Sequence, residues 1–554
     1  MNKIQIFDTT LRDGAQTAFI GIGPEDRYLI ARALAYTGVD VIEAGFAANT
    51  IDYLTLRVIS EKIGNSDNSP VICSLARALP GDVELAYQSV QPARPDKRRI
   101  HVFIGTSEEL LEHSIEKPKT EVLKMIGDNV RKARELLGEQ GQVQYSSEDA
   151  IRAMRTPEGK EWLAKTIEVA IEAGADVINI PDTTGSATPR EYYDAIKYLK
   201  QNVERIDKVV LSVHPHNDFG NAVPVALSGL EAGVTQVEGC VNQLGERAGN
   251  VDWPTVVANL KWGGYQNLID VDHIKTTEFK DLSNLVKAAI GTNRMLNHPL
   301  VGDSAFAQSS GIHVKGILRN PNTYVIIPPE AVGRKIEVVL GQTSGMHTVY
   351  NFLKNNGYGE VDCDYSEKQI VLMTDAVKRM SMKNRSSLTH TESKLLAEHY
   401  IKCQPLHPRI SLVHWQSIDQ MYGRPEFEVA AVVDGKLKQG RGQGEGPVDG
   451  FINAMVDATG ITVDGLVDWQ EMPQFFGFGA KGYEMLQKLG LTDSEKMMLG
   501  LSNGVSRGQE APAHSIVEIA KGRETYCCRG FSPKITEASY NAIATTFDAM
   551  HRLE

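Results

Sequence analysis

The first 260 residues alternate between short apolar runs and longer amphipathic segments. Several of the amphipathic segments end in glycine just before the next apolar run, as helices often do. Apolar strands that alternate with helices are typical of a parallel sheet. Eight such units predict a (β/α)8 barrel (a TIM barrel), and a doubly wound open sheet is the alternative. The apolar runs cover residues 4–9, 40–46, 70–76, 99–105, 142–146, 176–182, 209–216 and 235–241.

The alternation stops near residue 265, so we expect a barrel domain over residues 1–265. Residues 266–405 contain mostly helical patterns, which predict helical linker subdomains. In residues 406–554 a pair of strands followed by a helix occurs twice, which indicates a small α+β domain with internal duplication. Residues near 466–510 look like an insertion into that domain.

A glycine-rich run, GRGQGEGPVDG, covers residues 440–450. It fits neither the dinucleotide-binding fingerprint nor the P-loop pattern. We therefore expect a turn between a strand and a helix there, or a loop that binds an effector.

Composition and charge exclude some classes of protein. The chain has 554 residues, of which 42% are hydrophobic and 23% charged, and its net charge is −12. This negative charge argues against a nucleic-acid partner, and no apolar run approaches the roughly 20 residues that span a membrane. The six cysteines form no Cys-x-x-Cys pair, and the first residues lack the apolar core of a signal peptide. We therefore expect a cytoplasmic protein.

Polar residues collect where the predicted strands end. A barrel brings the carboxyl ends of its strands together at one mouth, where active sites lie. The pattern therefore predicts an active site built from the ends of most of the strands. These residues are Asp8, Arg12, Asp13, Glu43, His101, Thr106, Ser146, Glu148, Asn179, Asp182, Thr183, His214, His216, Asn217, Asp218, Asn242 and Glu246.

Two of these residues, His214 and His216, are separated by one position at the end of the seventh strand. Positions i and i+2 of a strand point to the same side, so both imidazoles can face one point. Asp13 follows the first strand, and closure of a barrel brings strand 1 near strand 7. Two imidazoles and a carboxylate suit Mg, Mn, Fe, Co or Zn, and three protein ligands leave positions open for catalysis. An iron-dependent oxygenase ranks low, because such enzymes usually have antiparallel barrels.

Other polar groups of the predicted mouth suit the binding of a small acid. Arg12 could polarise a carbonyl or bind a carboxylate, and the alternative is an ion pair with Glu43. Thr183 could hold a carboxylate, or it could be a turn residue. Glu148 could act as a general base or hold an arginine. His313 lies outside the predicted barrel, where a lone histidine is more often structural.

Several motifs together resemble the 2-isopropylmalate synthase family, which belongs with citramalate and homocitrate synthases to the metal-dependent barrels that catalyse Claisen condensations. The resemblance covers nearly the whole chain. The motifs are FDTTLRDG (7–14), VIEAGF (41–46), ICSLARA (72–78), HVFIGTS (101–107), YSSEDAIR (145–152), INIPDTTG (178–185), HPHND (214–218), LGERAGN (244–250), AFAQSSGIH (305–313) and VVLGQTSG (338–345).

The resemblance implies a reaction. Acetyl-CoA, the co-substrate, loses a methyl proton, and the enolate attacks the ketone of a 2-oxo acid. Hydrolysis of the thioester then gives a 2-alkylmalate and CoA. A divalent metal (Mg, Mn or Zn) assists, and a monovalent cation is a candidate activator. The product for 2-oxoisovalerate is 2-isopropylmalate, a precursor in leucine biosynthesis.

The resemblance also implies roles for individual residues. Asp13, His214 and His216 hold the metal, and Asn250 is either a weak ligand or a partner of the ligands. Arg12 acts in catalysis and binds the substrate, and Thr183 holds the substrate carboxylate. The family's remaining pocket positions correspond to His101, Ser146 and Asn179. Its proton-transfer positions correspond to Glu148, His313 and Tyr324.

This match reverses the structural interpretation of His313, because in the family that segment reaches the active site of the other subunit. We therefore expect a homodimer. The duplicated C-terminal domain resembles the family's regulatory domain, for which leucine is the expected effector. We expect no nucleic-acid or membrane partner.

Departures from the family pattern leave the choice of 2-oxo acid open. Position 15 is Ala where the family commonly has Glu, residues 47–53 read AANTIDY without the usual proline, and residues 311–316 read GIHVKG. The leading hypothesis is 2-isopropylmalate synthesis, and citramalate or homocitrate synthesis is the alternative within the same chemistry. A non-catalytic effector-binding or partner-binding homologue, or a cleaving lyase or aldolase, would belong to another class.

Overall fold

The structure is a computed structural model. It describes residues 3–292, 295–308, 313, 316–317, 319–359, 364–384, 386–403, 408–418, 424–473, 513–521, 524–532 and 535–553. Contacts divide the chain into two compact units. The first comprises Met1–Phe306 with Val325–Ile336, and the second comprises Ala307–Tyr324 with Glu337–Glu554. The division into domains at residues 265 and 405 stays a prediction.

Eight parallel strands of the first unit close into a barrel in the order β1 to β8, so the TIM-barrel prediction is confirmed and the open sheet is wrong. Closure is direct, because β8 pairs with β1 through Gln236 and Gln5. Each predicted apolar run overlaps one of the strands, and the strands β3, β4 and β5 extend one or two residues beyond their runs. They are β1 Gln5–Asp8, β2 Val41–Phe46, β3 Val71–Arg77, β4 Arg98–Gly105, β5 Gln142–Glu148, β6 Val177–Asp182, β7 Val210–Pro215 and β8 Gln236–Gly239.

The helices of this unit alternate with the strands, and proline or a capping side chain sets several of their starts. Thr188, for example, makes a capping box with Glu191 at the start of one helix, which satisfies two backbone N–H groups. The helices are α1 Pro24–Thr37, α2 Thr50–Ile63, α3 Pro80–Val90, α4 Glu108–Leu110, α5 Lys119–Leu137, α6 Ala150–Ala153, α7 Pro157–Glu172, α8 Pro189–Asn202, α9 Ala222–Ala232, α10 Trp253–Trp262 and α11 Phe279–Ala289.

The second unit begins with a short strand pair and continues with helices. The strands are β9 Ala307–Gln308 and β10 Glu337–Val338, which pair in parallel. Three helices then pack around their own apolar cluster, which includes Leu353 and Met373. They are α12 Met346–Asn355, α13 Glu367–Asn384 and α14 His390–Tyr400.

The rest of the second unit contains two similar three-stranded sheets, each with one helix. The first repeat consists of β11 Ile410–Ile418, β12 Glu426–Val433, β13 Lys436–Gln443 and α15 Pro447–Thr459. The second consists of β14 Gly465–Pro473, β15 Ala513–Lys521, β16 Glu524–Ser532 and α16 Ile535–Leu553.

The repeat is therefore βββα, and the predicted ββα repeat was one strand short. The start of the predicted insertion, near residue 466, is also wrong. Residues 466–473 belong to β14, which pairs along its length with β15. The rest of the predicted insertion, residues 474–510, lies outside the described residues.

The glycine-rich run is not simply the predicted turn, because residues 440–443 belong to β13. A Cβ atom on Gly440 would lie 2.3 Å from backbone atoms of α15, and one on Gly442 would lie 2.1 Å away. Glycine therefore lets the helix approach the strand directly. Gly530 of β16 stands in the same relation to α16, with backbone atoms 2.0 Å from its Cβ position.

Within the described residues, no helix is long and apolar enough to cross a membrane. The described cysteines, Cys73, Cys240, Cys403, Cys527 and Cys528, are all free.

Candidate active site

The mouth of the barrel contains a cavity of about 270 Å³, built from the ends of the strands. Every barrel residue assigned to catalysis or to substrate or metal binding lines it, with the exception of Asn250, which is fully buried. The predicted residues along the wall are Arg12, Asp13, His101, Ser146, Glu148, Asn179, Thr183, His214, His216 and Glu246.

The three expected metal ligands meet at one side of this cavity. One ligand atom from each of Asp13, His214 and His216 lies within 4.8 Å of the other two, and all three residues are buried. The closest pair joins Nε2 of His214 to Oδ2 of Asp13 at 3.5 Å. His216 forms an isolated β-bridge with Asn250, which fixes the backbone at this point.

The donor set fits a divalent ion. Among the described residues, Oδ1 of Asp13, Nδ1 of His216 and Oδ1 of Asn250 are buried without a hydrogen-bond partner. Such atoms cost about 1–3 kcal/mol each when nothing satisfies them. A cation would satisfy the oxygen atoms, and carboxylate and imidazole are ligands suited to Mg, Mn or Zn.

The electrostatics of the two histidines also suit a cation. Burial and the neighbouring His214 lower the pKa of His216 to about 4, so this imidazole is neutral, as a metal ligand must be. Burial by itself would lower the pKa of His214, but Asp13 and Glu238 raise it to about 9. The two carboxylates thus favour positive charge at this point of the mouth.

Arg12 links the metal ligands to the second strand. Its Nε donates to Glu43 at 2.5 Å, and its Nη1 donates to Asp13 at 2.7 Å. The expected ion pair with Glu43 is therefore present, and Arg12 lines the cavity as well. Burial opposes the charge on Arg12, but the carboxylates of Glu43 and Asp13 raise its pKa. Burial also opposes the charge on Glu43, but Arg12 and His101 lower the pKa of Glu43 to about 2.

A line of hydrogen bonds continues from Glu43 along the cavity wall. Nδ1 of His101 lies 2.7 Å from the Glu43 carboxylate, and Nε2 of His101 lies 2.6 Å from the Ser146 hydroxyl. Asn179 donates to the same hydroxyl at 2.8 Å. Residues from β2, β4, β5 and β6 therefore hold one another in place, and a bound molecule would meet a fixed polar wall.

Thr183 follows β6, and its hydrogen bonds join the loops that follow β5, β6 and β8. Its hydroxyl oxygen accepts the backbone N–H of Asp149 at 2.9 Å, which leaves the hydroxyl proton free to donate. Its carbonyl accepts a hydrogen bond from Arg247 at 2.6 Å. Arg247 also makes a two-pronged ion pair with Asp218, at 2.9 and 3.0 Å.

Glu148 ends β5 at the cavity, where burial and the nearby Asp149 raise the pKa of its carboxyl group. A carboxylate with a raised pKa is a stronger base than an exposed one, as proton abstraction requires.

His313 and Tyr324 belong to the second unit. Their rings lie against each other, with centroids 4.4 Å apart and planes inclined by 36°. Both are exposed, Tyr324 by 47%. The structure brings these two residues together, and their role in catalysis stays a prediction.

Sequence reasoning missed the apolar part of the cavity wall, formed by Phe46, Leu75, Phe103 and Pro181, and also Gln16. It also missed a buried polar cluster inside the barrel that includes Arg99, Gln144, Ser212, Gln236 and Glu238. Strand periodicity could have revealed part of the cluster: Arg99, Gln144 and Ser212 each lie two positions before a predicted mouth residue on the same strand, and thus on the same face.

Comparison with known proteins shows the family to which the chain is similar. The HMGL-like family model matches residues 3–286, and the model of the homocitrate synthase post-HMGL domain matches residues 300–385. The 2-isopropylmalate synthase of Clostridium kluyveri is 37% identical over 542 residues, which are 97% of this chain and 94% of the relative. That of Dictyoglomus turgidum is 35% identical over 465 residues, covering 83% of this chain and 87% of the relative.

Among solved structures, a hydroxymethylglutaryl-CoA lyase from Pseudomonas aeruginosa aligns with 57% of this chain and 98% of its own. Its sequence identity is 19% and its TM-score is 0.44. The two synthases named above match 97% and 83% of the chain, at 37% and 35% sequence identity. The chain therefore belongs to the 2-isopropylmalate synthase family, and it is a condensing acyltransferase of the HMGL-like type.

Proposed function

We propose that this enzyme condenses acetyl-CoA with 2-oxoisovalerate and water to give 2-isopropylmalate and CoA. The main observation in favour is one cavity that joins three groups: the cluster of Asp13, His214 and His216, the guanidinium of Arg12 and an apolar wall. The reaction needs a polarised ketone, a base for the acetyl methyl group and a pocket for a branched alkyl chain.

The HMGL-like family is metal-dependent, and this chain has a candidate site. We assign Asp13, His214 and His216 as ligands of a divalent ion, Mg, Mn or Zn, and Asn250 as a weak ligand or a partner of His216. When bound, such an ion supplies a Lewis acid that polarises the ketone and stabilises the alkoxide.

Arg12 and Thr183 would orient the 2-oxo acid. Arg12 is held from two sides by Glu43 and Asp13, so its remaining N–H groups can donate to the ketone oxygen without reorientation. The free hydroxyl proton of Thr183 would donate to the substrate carboxylate. His101, Ser146 and Asn179, which hold one another by hydrogen bonds, would form the pocket around the substrate.

Proton transfer would fall to Glu148, His313 and Tyr324. Glu148 lies at the cavity with a raised pKa and would remove the methyl proton of acetyl-CoA. His313 and Tyr324 would act on the alkoxide and on the water that hydrolyses the thioester. We assign them to the partner subunit's active site, and the enzyme would then work as a homodimer.

The cavity wall favours an apolar 2-oxo acid. Phe46, Leu75, Phe103 and Pro181 provide the apolar wall. Among the described lining residues, Arg12 is the only arginine or lysine, and two carboxylates already hold it. The second carboxylate of 2-oxoglutarate would find no counter-charge, which argues against homocitrate synthesis. Pyruvate would leave the apolar wall unfilled, and each lost methylene is worth about 1–3 kcal/mol.

Release of CoA thiol from acetyl-CoA tests the proposal, with 2-oxoisovalerate, pyruvate, 2-oxobutyrate and 2-oxoglutarate as partners. We expect the highest kcat/KM with 2-oxoisovalerate and no release after removal of metal by a chelator. Pyruvate as the best substrate would reassign the enzyme to citramalate synthesis. Absence of release with all four would contradict the synthase assignment and favour the non-catalytic or cleaving alternatives.

Leucine is the proposed effector of the duplicated C-terminal repeats. We expect millimolar leucine to lower the rate of the same assay. An unchanged rate would exclude leucine as the effector while leaving the proposed reaction intact.

A further inference from the structure

A glutamate lies inside the barrel beneath the candidate metal site. Glu238, on β8, is fully buried. One carboxylate oxygen, Oε1, accepts three hydrogen bonds: from Gln144 at 2.6 Å, Ser212 at 2.7 Å and Gln236 at 3.1 Å. A buried carboxylate is expensive unless it is paired and hydrogen-bonded. Its presence inside a barrel that could hold an apolar side chain therefore calls for a function.

The other carboxylate oxygen faces a candidate metal ligand. Oε2 of Glu238 lies 3.4 Å from Nδ1 of His214, and neither of these buried atoms makes a hydrogen bond, either to the other or to any other described residue. The opposite ring nitrogen, Nε2 of His214, lies 3.5 Å from Asp13. The imidazole therefore stands between two carboxylates, with one nitrogen facing the mouth and the other facing the barrel interior.

A buried arginine fixes the groups that hold Glu238. Arg99 is 1% exposed, and its Nη1 donates to the side-chain oxygens of Gln144 at 2.9 Å and of Gln236 at 2.8 Å. Both glutamines must then turn their NH₂ groups toward Glu238, because an amide has only one acceptor oxygen. Arg99 thus fixes the orientation of both glutamines, and their hydrogen bonds hold Oε1 of Glu238 within the cluster.

We propose that Glu238 is a positioning residue that holds His214 for metal binding. A small adjustment of the 3.4 Å contact lets the carboxylate accept the Nδ1–H of His214, so that the lone pair of Nε2 points to the metal position. Partners of this kind orient metal-bound histidines and raise their basicity. His216 differs, because no carboxylate of the described residues forms an ion pair with its ring, whereas Glu238 faces Nδ1 of His214, so this anchoring acts on one of the two histidines. The inference rests on the proposed metal centre.

Glu238→Gln is the informative variant. The three donors to Oε1 would hold the amide oxygen in their place, so the new NH₂ group would face Nδ1 of His214. It can only donate there, and His214 would then carry its proton on Nε2, where it blocks the metal. We expect the affinity of the full-length protein for Mn²⁺ to fall about 10- to 100-fold. Electron paramagnetic resonance of free Mn²⁺ measures this, and the circular dichroism of the protein should be unchanged.

Two variants are matched controls. Ser212→Ala removes one of the three donors to Oε1 and leaves Oε2 in place, so we expect Mn²⁺ affinity within about threefold of the wild type. Glu231→Gln removes the same charge from an exposed position on α9 and should leave the affinity unchanged. An equal loss in Ser212→Ala and Glu238→Gln would mean that the cluster acts only on the structure, which overturns the proposal.

The inference and the metal assignment fail in different ways. Wild-type enzyme that binds Mn²⁺ together with a Glu238→Gln variant that binds equally well overturns the role of Glu238 alone. Wild-type enzyme that binds no Mn²⁺ refutes the metal centre and this inference with it.

A measurement on the wild type does not depend on the folding of Glu238→Gln. In Zn²⁺-loaded enzyme labelled with ¹⁵N-histidine, we expect a downfield proton bonded to Nδ1 of His214, assigned by its loss in His214→Ala. Absence of this hydrogen-bonded proton would also overturn the proposal.

Discussion

Glu148 combines access to the cavity with a raised pKa, caused first by burial and then by Asp149. A general base works in its ionised form, so kcat/KM should fall as the pH drops through this pKa, at a pH above the ordinary value for glutamate. Glu148→Gln should lower kcat by about 10²–10⁴-fold and remove the acid limb of the pH profile. Steady-state rates across the acid range test this. An acid limb that persists in the variant would assign the ionisation to another group.

Asp8 has no catalytic role in this proposal, but its environment predicts an effect of pH on stability. Burial raises the pKa of Asp8 to about 7, although Trp253 and Thr10 donate hydrogen bonds to it. Between the ordinary pKa of aspartate and about pH 7, the carboxyl group of Asp8 is therefore protonated in the native state but ionised in the unfolded chain. This contribution to stability is complete at low pH. It declines by about 1.4 kcal/mol per pH unit across that window.

Asp8→Asn does not ionise at this position, so it should lack that decline. The unfolding temperature of the wild type relative to Asp8→Asn should be lower at pH 8 than at pH 5. Thermal unfolding of both proteins at the two pH values measures the difference. The same difference at both pH values would contradict a raised pKa at Asp8.

Residue types at strand ends predicted most of the polar residues that line the cavity, but neither its apolar residues nor the contacts between the polar side chains. Arg12 and Glu43 could be paired in advance, because both end neighbouring strands. The contact between His214 and Glu238 could not, because Glu238 reads locally as one polar position in an apolar strand. Which inward side chains meet depends on the stagger of the strands around the closed barrel, and local sequence does not specify it.

At the scale of elements, the clearest dependence on sequence is the contact between β13 and α15. Gly440 and Gly442 are two positions apart on the strand, so both face the helix. Backbone atoms of the helix at Ala454 and Ala458 lie within 2.3 Å of the positions where their Cβ atoms would be. Side chains there would force the helix away from the sheet. Close packing of α15 on β13 therefore explains the glycines of the run at residues 440–450 without a phosphate ligand.

Gly442→Ala should consequently destabilise the C-terminal repeats by about 1–3 kcal/mol or more, because the atoms that it meets are backbone and cannot rotate away. Thermal unfolding measures the loss. Gly446→Ala is the matched control, since a Cβ atom there meets nothing within 4 Å. Equal unfolding temperatures for the two variants would show that the helix can shift at little cost.

β14, the first strand of the second repeat, is the strand that the local sequence pattern did not predict. β14 pairs with β15, but residues 474–512 separate them along the chain. A hairpin is visible in sequence because its strands are neighbours and a turn joins them. The pairing of Gly465 with Ala520 is long-range, and the closure of a loop of that length leaves no local signal.

At the scale of the whole molecule, periodicity alone predicted the closed barrel. Eight strand–helix units favoured a closed barrel over an open sheet, because parallel strands need crossovers and eight such strands commonly close. The described residues of the second unit do not show this alternation of single strands and helices. Its relation to catalysis comes from the family resemblance rather than from local pattern, and it calls for a test that treats the protein as an assembly.

Complementation between subunits provides that test. Arg12 lies in the first unit, and His313 lies exposed in the second. If the His313 segment serves the partner's barrel, Arg12→Ala and His313→Ala should each be nearly inactive alone. A mixed dimer of the two would contain one site with both residues intact. Co-expression with two different affinity tags, and purification through both, isolates that mixed dimer.

The mixed dimer should therefore recover about half of the wild-type kcat per dimer, since one of its two sites keeps both wild-type residues. A doubly tagged dimer of two Arg12→Ala chains is the control for recovery caused by the tags or by assembly, and it should stay inactive. If His313 instead served its own barrel, every site of the mixed dimer would carry one substitution. Activity near zero in correctly assembled mixed dimers would then reject a shared active site.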